Sequence, residues 1–474
     1  MRSDTTVSIA EDPVSIERPD LRDRPALVLL WSEEEPDRAG EVAFFDTPRR
    51  AEVIGRGDDG EEKGEVRVRF HRQRPRELID GGGLSGRAIS RRQVVVTPQA
   101  KGIEVRRVGR CPMLVNGQAV EAHVMAPGDT LLLKGQLLLR CTLRSRGMKE
   151  LRYVAEQEFP FGGPDRVGIL GETPVVWELR DRLAFAAKAD THVLLRGASG
   201  TGKELAARAI HELSKRAKRP LVSRNAATFP EGLIDAELFG NVKNYPNAGM
   251  PERPGLIGQA DRGTLFLDEI AELPQDMQAH LLRVLDEGGE YQRLGETGSR
   301  KADVRLVGAT NRDLASFKHD LLARIAVRVE LPSLDARRDD IPLLVRHLVL
   351  RAARKSPEIA DRFLRTVGGV SYPRIEPALL EALVSATFET NVRGLDTLLW
   401  KALSESPGDT IVVPEEMKRP RPAAEAESVR EFTAEEIRGA LALAKGNVSH
   451  AAKALGLSRY ALYRWMRKFE IEGE

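Results

Sequence analysis

The sequence predicts a multidomain chain: an N-terminal all-β sandwich, a central α/β phosphate-loop domain with a helical lid, and a C-terminal all-α helix-turn-helix. Three observations lead there. Over residues 26–144, short apolar or alternating runs ("ALVLLW", "EVRVRF", "RRQVVVT", "GIEVRRV", "QLLLRCTL") are punctuated by Gly, Pro and Asp, the texture of many short strands. From residue 168, amphipathic stretches alternate with solid apolar strands such as "THVLLRG", "GTLFLDEI" and "VRLVGATN"; strands covered by helices on both faces imply a parallel sheet. After "LPSLDARRDDIPLL" the pattern is almost purely helical to about residue 403, and two or three short helices close the chain.

The expected limits follow from these changes of texture. A flexible tail covers 1–25, the sandwich 26–145, a linker 146–166, the α/β subdomain 167–335 and the lid 336–415. The Pro/Ala/charge-rich run "KRPRPAAEAES" marks a second linker over 416–430, and the last domain occupies 431–474. At 474 residues the chain exceeds what one core serves, so about three domains are expected. A net charge of +2 means that any nucleic-acid partner must meet a local basic surface. Two cysteines make neither a disulfide framework nor a metal site. The polar N-terminus lacks the apolar core of a signal peptide, and no run approaches the ~18 apolar residues of a membrane span. A cytoplasmic protein without a membrane partner is therefore expected.

The central domain carries the chemistry. "LLRGASGTGKE" ends a strand and offers Gly197, Gly200, Thr201 and Gly202 before Lys203 and Glu204 open a helix. Glycine is needed because backbone N–H groups must close around phosphate oxygens without side chains in the way. The helix N-terminus and Lys203 then offset the charge of a triphosphate. Glu204 stands where Ser or Thr would ligand Mg²⁺. "GTLFLDEI" delivers Asp268 and Glu269 to the carboxyl edge of the sheet, where Asp268 can hold the metal and Glu269 can polarise an attacking water. A third strand, "VRLVGATN", ends at Asn311, a neutral donor suited to sensing a terminal phosphate.

With "RNAATFPEGLIDAELFG", "GTLFLDEIAELP", "VRLVGATNRDL", "RRDDIPLL" and "NVRGL", residues 167–403 closely resemble the AAA+ domain of bacterial sigma-54-dependent transcription activators. The resemblance implies a ring, usually a hexamer, with ATP and Mg²⁺ at the subunit junctions. It assigns Asn225 to restraining the catalytic glutamate, Arg324 to an arginine finger reaching the neighbouring subunit, and Arg393 to the lid's sensor arginine. Glu204 after the loop lysine is usual in that family. Lys318 replaces a second finger arginine, keeping the charge but losing the planar fork. Phe388-Glu389-Thr390 replaces the usual Trp-Pro-Gly.

In that family the segment after "ELFG" carries a GAFTGA loop that touches the sigma factor. Here the six residues are Asn244-Tyr245-Pro246-Asn247-Ala248-Gly249. Pro246 fixes φ and removes a donor, so the tip cannot follow the same conformational path. The loop then makes an altered but working sigma-54 contact, has lost it, or grips another partner.

Both ends carry recognition motifs. "AKGNVSHAAKALGLSRYALYRWMRKFEI" holds six Lys/Arg and no Asp/Glu between Lys445 and Lys468. Ala451, Ala452 and Leu455 should face inward and Ser458 should cap a second helix. This resembles the Fis-like module that ends such activators, placing Ser458, Arg459, Tyr460, Tyr463 and Arg464 on DNA and Arg467 and Lys468 on its backbone. The N-terminal sandwich, with "VIGRG", "LSGRAISRRQVVV" and "MLVNGQAV", resembles a forkhead-associated (FHA) phosphothreonine reader in which Arg56, Ser90 and Arg91 clamp phosphate. Gln93 stands for the family's histidine, and Cys111-Pro112 for its Asn-Gly step. The resulting expectation is a sigma-54-dependent regulator that couples ATP hydrolysis to promoter opening, holds an upstream promoter element, and receives a phosphothreonine protein or Ser/Thr kinase. The alternative is a DNA-binding, nucleotide-dependent regulator or repressor that does not engage sigma-54.

Overall fold

The computed structural model describes residues 20–45, 50–57, 66–99, 102–154, 159–230, 232–286, 288–418 and 433–444, with seven single positions between Val448 and Phe469. The chain divides into two compact units, 1–414 and 415–474.

The first unit opens with a sandwich of an eight-stranded and a five-stranded sheet. Arg24–Ser32 lies inside the larger sheet, antiparallel to Leu137–Arg144 on one side and Val42–Phe44 on the other. Val94–Gln99 and Gly102–Arg107 form the middle of the smaller one. Leu27, Leu29, Leu137 and Leu139 point inward and meet Val94, Val96, Ile103 and Val105 in a closed core. Successive strand residues face opposite ways, so Ala26, Val28 and, on the partner strand, Leu138 point outward. These three are nonetheless 0% exposed. The unbroken run "ALVLLW" reflects a strand covered on both faces, the second cover being the lid helix Pro377–Ser385.

The α/β subdomain contains a five-stranded parallel sheet. Its strands are β1 (Val193–Arg196), β2 (Leu221–Asn225), β3 (Thr264–Asp268), β4 (Arg305–Thr310) and β5 (Val327–Glu330), in the order β2-β3-β4-β1-β5. α1 (Pro174–Ala189) and α2 (Lys203–Glu212) pack on one another and on the sheet through Val176, Leu183, Ala206 and Ile210. β4 is buried along its whole length, as a central parallel strand should be. Its Arg305 is 1% exposed and donates to the Thr191, Ala187 and Ala186 carbonyls.

The lid contains α3 (Ile341–Lys355), α4 (Pro377–Ser385) and α5 (Asn391–Glu405). The expectation of an almost purely helical lid is corrected by a β-hairpin, Leu364–Val367 against Val370–Pro373. Its turn is Gly368-Gly369, at φ +56° and +80°, the pair of positive φ values that a tight hairpin demands. β-branched Thr366, Val367 and Val370 favour the extended arms.

Ion pairs rim the contact between sandwich and lid. Arg140 meets Asp339 at 2.5 Å, Arg365 pairs with Glu33, and Thr130 donates to Glu381. Arg74 reaches Glu172 at 2.9 Å, just before α1, and stacks over Phe159 at 4.5 Å. In the second unit, α6 (Ala434–Leu443) begins with a Thr433/Glu436 capping box. Ile437, Ala440 and Leu441 form its core with Ala451, Leu462 and Met466, and Leu455 packs against them, so two of the three expected inward positions are met. Ala452 lies outside the described residues. Among the described residues no helix is long and apolar enough to cross a membrane.

Candidate functional site

The turn from β1 into α2 builds the phosphate-loop geometry from the expected residues. Gly200 and Gly202 take φ +74° and +99°, conformations an L side chain rarely adopts. Thr201 Oγ1 donates to Ala198 O at 2.9 Å and tightens the turn. Lys203, 7% exposed at the first turn of α2, folds back so that Nζ donates to Gly197 O at 3.0 Å. Glu204 instead faces outward, 72% exposed, 3.7 Å from Arg208.

β3 carries Asp268 and Glu269 to the same sheet edge. Glu269 leaves the strand at φ +50°, an uncommon choice for a residue with a side chain. That turn brings Oε1 to 3.7 Å from Lys203 Nζ, and Oε2 accepts the Asn311 N–H at 3.4 Å. Asp268 Oδ1 accepts the Glu269 N–H at 3.0 Å. Asn225 stands opposite Asp268 in the parallel register of β2 and β3. Its side chain accepts from Ala227 N at 2.9 Å, so the carboxamide caps its own turn and Glu269 is held by Lys203 and the Asn311 N–H just past β4. Among the described residues no group of three or more His, Cys, Asp or Glu could hold a metal ion. Any divalent ion here would take Asp268 together with phosphate oxygens, the usual mode for Mg²⁺.

The lid presses directly on the loop. A Cβ on Gly200 would lie 1.9 Å from Thr390 O, so no other residue fits there. Arg393 donates to Ser199 Oγ at 3.2 Å. Neighbouring Asn391, which sequence reasoning passed over inside "NVRGL", is 3% exposed at φ +49° and bridges Ser199 O to Leu334 N. Only its partners mark it, and no single-position pattern could.

Arg324 ends the short helix His319–Arg324, 56% exposed and 2.9 Å from Asp286. Lys318, at that helix's start, donates its backbone N–H to Gln278 Oε1 at 3.0 Å.

The "NYPNAG" loop folds back on itself. Asn244 N–H donates to Met250 O at 2.9 Å and Asn244 Oδ1 accepts from Gly249 N at 3.0 Å. The Tyr245 ring covers Gly295 so closely that a Cβ there would lie 2.5 Å away. Arg293, between the paired strands Glu290–Tyr291 and Arg300–Lys301, ties Glu252 at the loop's far end to Glu296. Hydrogen bonds from Arg300 and Arg293 hold the Glu296 carboxyl down at about 2. Asn241, 0% exposed, donates to the Val242, Tyr245 and Pro251 carbonyls and closes the base.

In the sandwich, Arg56 N–H donates to Ser90 O at 3.1 Å, which sets Arg56, Ser90 and exposed Arg91 at one end. Arg56 Nη1 donates to Arg87 O at 3.1 Å, and Ser90 Oγ accepts Arg110 N–H at 3.2 Å. Gln93 is fully buried. Its carboxamide joins Ser90 N at 3.3 Å to Cys111 O at 2.8 Å, so it holds the loops together. Ser458, Arg459, Tyr460, Tyr463, Arg464, Arg467 and Lys468 lie outside the described residues.

A parallel sheet with this loop, its two carboxylates and a helical lid defines an AAA+ P-loop domain, followed here by a helical C-terminal unit. Residues 169–330 match the Sigma-54 interaction domain and residues 428–469 the Fis-family bacterial regulatory protein domain. The transcriptional regulatory protein ZraR of Salmonella typhimurium is 35% identical over 322 residues, 64% of this chain and 69% of that protein. The Nif-specific regulatory protein of Bradyrhizobium diazoefficiens is 38% identical over 308 residues, covering 63% of this chain. The chain spans about half the length of that Nif regulator, 49% of it. NtrX from Brucella abortus, solved in complex with ATP, is 31% identical over 63% of this chain and 68% of its own, with a TM-score of 0.45. The chain belongs to the sigma-54-dependent transcriptional activators.

Proposed function

We propose that the chain assembles as a hexameric AAA+ ring, binds ATP and Mg²⁺ between subunits, and couples hydrolysis to promoter opening by sigma-54 RNA polymerase while its last domain holds an upstream DNA element. The observation that carries this reading is Glu269, held at the sheet edge between buried Lys203 and the Asn311 N–H. The donor set fits a nucleoside triphosphate: a glycine loop at positive φ, a buried lysine, and two adjacent carboxylates. Mg²⁺, when bound, neutralises charge on the β- and γ-phosphates. Lys203 offsets phosphate charge, Asp268 holds the metal, and Glu269 polarises the attacking water. Asn311 and Arg393 sense the terminal phosphate, and Arg324 reaches a neighbour's. Asn225, now turned onto Ala227, restrains Glu269 in another state of the cycle. The working domain limits are 26–145, 167–335, 336–415 and 431–474.

The test is open-complex formation on supercoiled DNA by sigma-54 and primary-sigma holoenzymes side by side, with and without ATP. ATP-dependent opening by the sigma-54 form alone, lost in Lys203→Ala, supports the reading; no ATP-dependent opening by that form defeats it.

A second reading has a specific observation behind it. The loop that would touch sigma-54 is closed by Asn244 and tied by Tyr245, Glu252 and Arg293 to the connection between Tyr291 and Arg300. A tip so bound favours a DNA-binding, nucleotide-dependent regulator or repressor that acts without sigma-54. Nucleotide-dependent DNA binding without promoter opening would select it.

The sandwich is proposed as an FHA-like reader of a phosphothreonine protein, such as a Ser/Thr kinase, through Arg56, Ser90 and Arg91. Their gathering at one end supports this, with Gln93 supplying the loop bracing that the family's histidine would give. A phosphothreonine peptide library that yields no ligand sensitive to Arg56→Ala would reject it.

A further inference from the structure

The phosphate loop of this chain does not stand alone. Two consecutive loop carbonyls are engaged by the lid: Ser199 O accepts from Asn391 Nδ2 at 2.9 Å, and Gly200 O accepts from Val392 N at 3.2 Å. In a trans peptide the N–H points opposite the carbonyl. Drawing these two carbonyls to the lid therefore turns the Gly200 and Thr201 N–H groups the other way, into the loop, where Thr201 N lies 3.4 Å from Ala198 O. Inward N–H groups are what a phosphate cradle requires. A glycine-rich loop has little of its own to fix that choice, because Gly200 and Gly202 tolerate many backbone conformations.

Asn391 supplies the fixing bond and anchors it. Its Oδ1 accepts from Leu334 N at 2.7 Å, and Leu334 begins the segment Leu334–Asp340, kinked at Arg337, that leads into the lid. Leu334 N can only donate and Ser199 O can only accept, so the amide orientation is settled by its partners. A carboxylate in its place keeps the Leu334 bond but faces the Ser199 carbonyl with a second acceptor. Asn is also among the few side-chain-bearing residues at ease at φ +49°.

We infer that Asn391 is a positioning residue for nucleotide binding: its carboxamide holds the phosphate loop in its binding-competent form and ties that form to the lid. The inference rests on the nucleotide reading above and adds to it a residue that touches no phosphate.

The experiment measures binding of a fluorescent ADP analogue, ATPase KM and kcat, and thermal unfolding without nucleotide, for the full chain and two variants. Asn391→Asp removes only the Ser199 bond; Asn391→Gly removes both bonds without straining the positive φ. The expected result is an ADP affinity weakened about tenfold in Asn391→Asp, and KM raised in proportion, for the loss of one hydrogen bond beside a repelled carbonyl. Both variants lower the nucleotide-free melting temperature, Asn391→Asp because a buried carboxylate faces a carbonyl and Asn391→Gly because both bonds are lost, so binding is compared at a temperature where each is fully folded. If Asn391→Asp binds ADP like the parent, or if melting temperature falls in both variants with Kd unchanged, Asn391 is merely structural and the inference is overturned. If the parent itself binds no nucleotide, the wider reading fails first.

Discussion

Leu138 tests whether the outer face of the sandwich is a true interior. It is 0% exposed although it lies on the side of its strand away from the sandwich core, because Leu137 and Leu139 fill that core. Leu138→Ala removes three carbon groups worth about 0.8 kcal/mol each and adds a cavity term, which together give a loss of about 3 kcal/mol. On an open sheet face the same change would cost less than about 0.5 kcal/mol. The assay is guanidinium denaturation of the full chain followed by tryptophan fluorescence, and Trp31, the cross-strand neighbour of Leu138, serves as a local reporter. A loss below about 0.5 kcal/mol would refute the claim that the lid covers this face.

The remaining expectations test the rim, the chemistry and the acid response. Arg140 and Asp339 are 13% and 11% exposed, so a double-mutant cycle with Arg140→Ala and Asp339→Ala should give a coupling of about 1–3 kcal/mol; additivity within about 0.5 kcal/mol would remove the pair from the interface. Glu269→Gln should leave ADP binding within about twofold and lower ATP turnover by at least about a hundredfold; equal loss of both would deny Glu269 its part in water activation. Burial holds His192, His211 and His347 below the ordinary imidazole range, and His192 Nδ1 accepts Leu306 N–H at 3.1 Å, a role a protonated ring cannot keep. Their neutral forms are favoured in the fold, so the stability they contribute is present above about pH 6.5 and lost as pH falls through the depressed values. Thermal melts at pH 7.5, 6.5 and 5.5 should show that decline, and a flat profile would contradict it.

Much of this molecule was legible because its chemistry is local. Glycines at fixed offsets before Lys203, and an apolar strand closing on Asp268-Glu269, need no tertiary knowledge to be read. Sheet order and partner choice are non-local, and there the sequence was mute. "ALVLLW" fitted a strand, yet its lack of alternation was the sign of a second cover, and only the lid explains it. Val367-Gly368-Gly369-Val370 was a hairpin signal overlooked inside a helical stretch. Gln93 read as a departure from a family pattern, whereas burial turned it into a brace for two loops. The helix-turn-helix contacts with DNA fall outside the described residues and rest on sequence alone.

Arg144 gives the docked sandwich a mechanical meaning. Buried at the end of the sandwich's last strand, it donates to Glu172 O at 3.0 Å, at the threshold of α1, and stands 3.9 Å from Asp339, at the threshold of α3. One threshold opens the α/β subdomain and the other leads into the lid, so a single side chain of the sandwich touches the entrance of both.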